Sequence, residues 1–206
     1  LVDAPGIPLA LRYFGGAGKA HMDKYGTKLE TFAAIRAKAS RHAVNNPLAL
    51  FRKEVSVDDV MAAPMMWEGV MTRLMACPPT CGAAAAVLVS DSFARRRGVD
   101  RRVEIAAQAM TTDRPDTFGA RSMMKLVGSD MTRAAAAQVY ERSGIAPTDG
   151  GVVELHDCFA QNEVLSYEAL GLCEEGQAAQ FVADGDNTYG GRVVVNPSGG
   201  LLSKGH

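Results

Sequence analysis

The chain has 206 residues, 47% of them hydrophobic and 22% charged, with a formal net charge of −1. That length allows one large domain or two small ones around a real core, and the composition is that of an ordinary soluble globular protein. Near-neutral charge gives no electrostatic basis for nucleic acid or an anionic membrane surface as partner, and the longest apolar runs, such as 83–89, fall far below the ~20 residues of a membrane span.

Residues 1 to about 15 are punctuated by Pro and Gly and read as a lead-in. From Gly18 to His42, Met22, Tyr25, Leu29, Phe32, Ala33 and Ile35 recur at three- and four-residue steps, which predicts one or two amphipathic helices with Gly26 as an interruption. Asn45-Asn46-Pro47 stops them. Ser56 before Val57-Asp58-Asp59 reads as an N-cap with an acidic first turn. No strand is predicted up to residue 67.

After Trp67 the character changes. Residues 72–77 and 82–90 read as strands flanking a turn, and 91–98 as a short helix stopped by Gly98. Residues 102–110 alternate partially and read as a strand. The Ala-rich stretch 129–143 reads as a helix ending at Gly144, 152–155 as a short buried strand running into His156, 160–170 as a helix ended by Gly171, and 192–195 as a last strand. The final eleven residues, from Asn196 to His206, lack helix or strand periodicity and read as a glycine-rich loop that aims His206. Strands alternating with helices imply an α/β sheet with helices on its faces. No internal repeat is visible.

Four cysteines, Cys77, Cys81, Cys158 and Cys173, are reduced thiols by expectation, as in a cytosol-like compartment. Cys77 and Cys81 lack a second Cys/His pair at zinc-ribbon distance, so no metal site is expected. No charged-then-apolar leader supports secretion.

Several ordered stretches carry a family resemblance: 21–28 (HMDKYGTK), 44–47 (VNNP), 154–159 (ELHDCF), Asn162-Glu163, 167–173 (YEALGLC), 185–191 (GDNTYGG) and 196–206 (NPSGGLLSKGH). Together they closely resemble the thiolases of the sterol-carrier-protein, or lipid-transfer, type, in order through almost the whole chain. The resemblance implies a thiolase fold of two βαβαβ halves with a mostly helical inserted loop domain. Residues 1–67 would be that loop domain, 68–100 the end of the first half and 101–206 the first part of the second. It also implies that part of the polypeptide is absent. The family's nucleophilic cysteine would lie upstream of His21 and its acid/base cysteine downstream of His206, leaving the chain inactive by itself.

By resemblance, His156 helps to build an oxyanion hole for a thioester carbonyl, and His206 matches the Gly-His-Pro histidine that activates the nucleophile. The competing readings are a helix-capping or core histidine and a mobile terminal one. Ser198, Gly199 and Gly200 are expected to contact coenzyme A or acyl-CoA, which enters as substrate rather than as a covalently bound cofactor. Lys19, Lys24, Lys28, Arg36, Lys38 and Arg41 could meet its phosphates or form a solvated helix face. Tyr189 could line an acyl pocket or sit in a surface turn. Cys158 and Cys173 read as packing residues. One departure from the family pattern is Cys81-Gly82-Ala83-Ala84, where an acidic residue usually precedes the glycine. The implied activity is cleavage or formation of 3-oxoacyl-CoA thioesters, fatty-acyl or sterol side-chain, through an acyl-cysteine. Alternatives are a thiolase-like steroid side-chain retro-aldolase and a non-catalytic acyl-CoA or lipid-binding module. A homo-oligomer is expected for the complete protein, cytoplasmic or, in a eukaryote, peroxisomal.

Overall fold

The structure, a computed structural model, describes residues 5–100 and 103–206. Helix α1 spans Leu9–Tyr25 and α2 Leu29–Ala43, separated by Gly26, whose φ of 74° closes α1. The lead-in therefore ends at Pro8, well short of residue 15. Its glycines are helical because of what packs on them. A Cβ at Gly15 would lie 2.8 Å from Cε3 of Trp67, and one at Gly18 2.8 Å from Cβ of Gln161. Helix α3, Val57–Met61, starts as expected: the Ser56 hydroxyl accepts from the Asp59 N–H while the Asp59 carboxylate accepts from the Ser56 N–H.

Strand β1, Met65–Trp67, pairs antiparallel with β2, Met71–Thr72, so a strand does begin before residue 67. The predicted strand at 72–77 is mostly something else. Arg73–Met75 form a 3-10 turn, Ala76 bridges Phe159, and the Cys77 N–H donates to the Cys158 carbonyl at 2.9 Å. Neither 82–90 nor 103–110 is a strand, and Arg102 lies outside the described residues. A strand needs a neighbour to take its N–H and C=O groups. Here Val87 is 90% and Val103 93% exposed, with no ladder beside them among the described residues. Between them α4, Asp91–Arg97, ends at Gly98 as its sequence requires.

Two single-turn helices, α5 (Asp116–Gly119) and α6 (Met123–Leu126), precede α7, Ser129–Ser143. Strand β3, Val152–Val153, is shorter and more exposed than the predicted buried strand, because β4 is its only partner among the described residues. It leads through His156 into α8, Ala160–Ala169. Helix α9, Ala178–Ala183, was not legible, and β4, Val194–Val195, returns parallel to β3. This β3–α8–α9–β4 crossover carries the α/β character of a chain in which helices dominate. The terminal stretch is not wholly loop: α10 spans Gly200–Lys204.

Helix α2 lies at the centre, against α3, α8, α9 and α10, with α1 across α8. Phe32, Ile35, Val60, Met71, Met75, Val164, Phe181 and Leu202 fill the core between them, each at most 1% exposed. Among the described residues no helix is long and apolar enough to cross a membrane.

Candidate functional site

The two histidines singled out by the sequence meet. His156 Nε2 lies 3.3 Å from His206 Nε2, with the rings edge-on at 74° and their centroids 5.0 Å apart. His156 sits between β3 and α8, its carbonyl accepting a 2.6 Å hydrogen bond from the Asn162 side-chain amide. His206 arrives from the other direction, at the end of α10. Its backbone is held: its N–H donates to the Pro78 carbonyl at 3.1 Å, and its carbonyl accepts from Thr80 N–H at 3.1 Å and Thr80 Oγ1 at 3.0 Å. It is thus not a loose terminal residue.

Facing Nε2 atoms at this distance share one proton, so one ring donates and the other accepts. Burial lowers the His156 pKa from its ordinary 6.5, and the nearby His206 lowers it further. The shift favours the neutral form of His156, and the paired rings can accept a proton from an acid or donate an N–H to a developing oxyanion.

Directly behind the pair lies Asp157, fully buried. Its Oδ1 accepts from the Leu201 N–H at 2.6 Å, while Oδ2 has no hydrogen-bond partner. Desolvation, and next the neighbouring Glu163, raise its pKa well above 3.8. The carboxyl packs on Gly200 so closely that an added Cβ would stand 2.6 Å from its carbon. Gly199 and Gly200 both have positive φ, 95° and 57°, as the sequence demands. The atoms on their open sides belong to Ala43 and Asp157. Ser198 is tied to Glu154 through its N–H and hydroxyl, at 2.9 and 2.8 Å, and Asn46 donates to its carbonyl at 2.9 Å. Asn196 Oδ1 accepts from Leu155 N–H at 2.8 Å.

Beneath this loop is a polar network that sequence reasoning missed. Buried Lys38 and the Tyr167 hydroxyl both donate to Glu163, Asn187 donates to the Tyr167 oxygen at 2.9 Å, and Asn196 reaches Glu163 at 3.4 Å. The i, i+4 spacing of Glu163 and Tyr167 put them on one face of α8, but nothing marked Lys38 as their partner. His42 Nδ1 donates to the Asn196 carbonyl at 3.0 Å, its Nε2 lies 2.8 Å from Thr188 Oγ1, and burial lowers its pKa. Buried His21 lies 2.9 Å from Glu168 and 2.8 Å from Thr27.

Of the basic residues, Lys19 pairs with Asp23 and Lys24 with Glu175 on the surface, both at 2.9 Å, while Arg36 and Lys38 are buried. Tyr189 is 65% exposed, its ring edge-on to His42. Burial pushes the Cys158 and Cys173 thiols up to about 12 and raises Cys77, so none of the three is a ready thiolate. Exposed Cys81 lines, with Thr80, Leu50 and His206, a cleft of 880 Å³ beside the pair. On the other side of His156, a 430 Å³ cleft is walled by Phe14, Leu155, Leu165 and Leu170. Among the described residues no group of three or more His, Cys, Asp or Glu could hold a metal ion.

Residues 115–206 match the family model described as "Thiolase C-terminal domain-like". The chain is 54% identical to human sterol carrier protein 2 over 200 residues, covering 97% of this chain and 36% of that protein. It is 38% identical over 186 residues to the benzoylsuccinyl-CoA thiolase subunit of Thauera aromatica, covering 90% of this chain and 47% of the relative. The chain thus spans a third to a half of these relatives' length. In three dimensions it resembles the Ltp2-ChsH2(DUF35) aldolase, with a TM-score of 0.80 at 23% identity over 98% of this chain and 53% of that one. This establishes the thiolase-like fold.

Proposed function

From the premise that residues 115–206 belong to the thiolase C-terminal domain-like family, in a chain homologous throughout to sterol carrier protein 2 and to thiolases, we propose that this chain supplies the histidine pair of a thioester acyl-transfer site. The reaction would be cleavage or formation of a 3-oxoacyl-CoA through an acyl-cysteine. The observation that carries the reading is the 3.3 Å approach of His156 and His206 from two segments fifty residues apart.

His206 would take the proton of the attacking thiol, and His156 would present its Nε2–H to the thioester oxygen as negative charge develops there. Partial burial and the neighbouring His206 lower the His156 pKa and favour its neutral form, which can donate without first losing a charge. The coenzyme A arm would run through the 880 Å³ cleft beside His206. Ser198, Gly199 and Gly200 would act mainly by holding that histidine in place. Cys77, Cys158 and Cys173 are held as thiols, and by the family resemblance the nucleophile would come from polypeptide beyond these 206 residues rather than from exposed Cys81. The helical part, residues 1–67, would form the floor on which α10 is seated.

The test is thiolysis of acetoacetyl-CoA in the polypeptide context that provides the thiolate. His156→Ala and His206→Ala should each lower kcat about 10²–10³-fold, the usual effect of removing one oxyanion donor or base, with coenzyme A binding retained. Unchanged rates in both would refute the reading. The 206-residue chain alone should not turn over. Turnover that His156→Ala abolishes would instead place the nucleophile within it, with Cys81 the accessible thiol.

A further inference from the structure

Among the described residues Arg36 is a cation with no ion-pair partner. It projects from the middle of α2 and is 3% exposed. Among the described residues its guanidinium makes one hydrogen bond, Nη1 to Ser203 Oγ at 2.7 Å, and no ion pair. The acid it senses is Asp157, with which it makes no ion pair among the described residues; burial, and next Glu163, raise the Asp157 pKa well above its ordinary value, which weakens that carboxyl as a counter-charge. Burial lowers the Arg36 pKa to about 10, which still leaves it charged at neutral pH. A guanidinium carries five donors, and a buried charge left unpaired is costly.

Arg36 also lines a cleft of 610 Å³, within the ~300–1,000 Å³ of small-molecule sites. The walls are apolar: Leu11, Phe51, Met66, Leu74 and Leu202 among them. The rim carries Arg73, without a partner among the described residues, and Asp59, already committed to capping α3. Cys77, Pro78 and Pro79 form one side, and the Pro78 carbonyl is the acceptor for the His206 N–H. The cleft thus shares Pro78 with the hydrogen bonding of His206, and its lining joins two arginines to mostly apolar side chains.

We propose that this cleft binds an apolar chain ending in a carboxylate, received by Arg36 in a paired, bidentate contact, so that the acyl groups handled at the histidine pair carry a free carboxylate at their far end. The link to acyl chemistry rests on the thioester reading above; the anion site does not. Its occupant is an amphipathic carboxylate rather than a phosphate, because a strongly hydrated dianion would lose too much solvation among these walls.

The experiment is calorimetric titration of the 206-residue chain at pH 8 with octanoate and with 1-octanol, alongside thermal melts. Octanoate should saturate and bind about tenfold or more tightly than 1-octanol, the least that a charge-assisted pair contributes. Arg36→Lys should keep the preference, Arg36→Gln should bring octanoate down to the octanol level, and Ala63→Trp, which fills the cleft, should abolish both. Circular dichroism confirms that each variant is folded. Equal binding of the two probes to the parent chain overturns the proposal. So does a preference that survives Arg36→Gln, or one lost in Arg73→Gln instead. His156→Ala should leave octanoate binding to the 206-residue chain intact while slowing thiolysis in the polypeptide context that provides the thiolate, so failure of the thioester reading and failure of the anion site give different results.

Discussion

Replacing Gly200 by alanine isolates the contact on which the site's geometry depends. Two costs arise. Gly200 has φ +57°, and an L-residue in that region loses about 1–2 kcal/mol. The added Cβ would also stand 2.6 Å from the Asp157 carboxyl carbon, which is fully buried and cannot swing into solvent. Relief requires the carboxyl to leave Leu201, whose N–H at 2.6 Å then loses its acceptor, a cost of about 1–3 kcal/mol for a buried donor. Together these predict about 3 kcal/mol. Gly26→Ala is the control: φ is +74°, but nothing lies within 4 Å of its Cβ position, so only the conformational cost of about 1 kcal/mol applies. At about 2–4 °C per kcal/mol for a domain of this size, Gly26→Ala should lower Tm by about 2–4 °C and Gly200→Ala by about 6–12 °C. Adding Asp157→Ala to Gly200→Ala should show a coupling of at least about 1 kcal/mol in urea denaturation. Equal shifts for the two glycines, or strict additivity of the double variant, would refute a carboxyl seated on Gly200.

Asp157 also predicts a pH dependence. Its folded pKa is raised above 3.8, so its contribution to stability is present in acid, below the unfolded value, and is lost as pH rises through the folded pKa; Asp157→Asn should flatten that slope in denaturation curves taken from pH 4 upward. His156 should titrate below 6.5 by nitrogen NMR, and His206→Ala should move it part of the way back, because burial, the larger cause, remains. Lys38→Met should cost about 3–5 kcal/mol in urea denaturation by stranding Glu163 in the core, and adding Glu163→Gln should recover much of the loss.

Helix boundaries set by local chemistry were legible in the sequence: the Ser56 cap, the stops at Gly26, Gly98 and Gly144, and the whole of α7. Strands were not, because a strand is a relation between segments. Residues 82–90 and 103–110 have strand composition, yet Val87 and Val103 are almost fully exposed. The start of α1 was lost to its glycines, whose reason is Trp67 and Gln161, residues far away in sequence. His156 and His206 could be named from their motifs, but their meeting depends on the parallel return of β4 and the hydrogen bonds to Pro78 and Thr80. Arg36 and Lys38 looked like solvated helix charges. Only their different fates distinguish them: Arg36 lines a cleft and bonds Ser203, with no ion pair among the described residues, and Lys38 is clasped by Glu163.

The terminal glycines show how a sequence signal can be right in form and different in cause. Gly199, Gly200 and Gly205 all have positive φ, as a glycine-rich loop that presents a histidine should. The closeness they permit is taken by the protein itself: Ala43 of α2 faces Gly199, Asp157 faces Gly200, and Thr80 faces Gly205 with its Cβ 2.8 Å from the position an added methyl would occupy. Three separate segments thus clamp the loop, leaving the imidazole of His206 as the part that opens onto a cleft. Gly205→Ala must then displace Thr80, which holds the His206 carbonyl through both its N–H and its hydroxyl. Its signature in NMR is a change at His156 as well as at His206, since the rings move apart. A variant that lost stability with the His156 resonance unmoved would show that the clamp supports the fold without aiming the histidine.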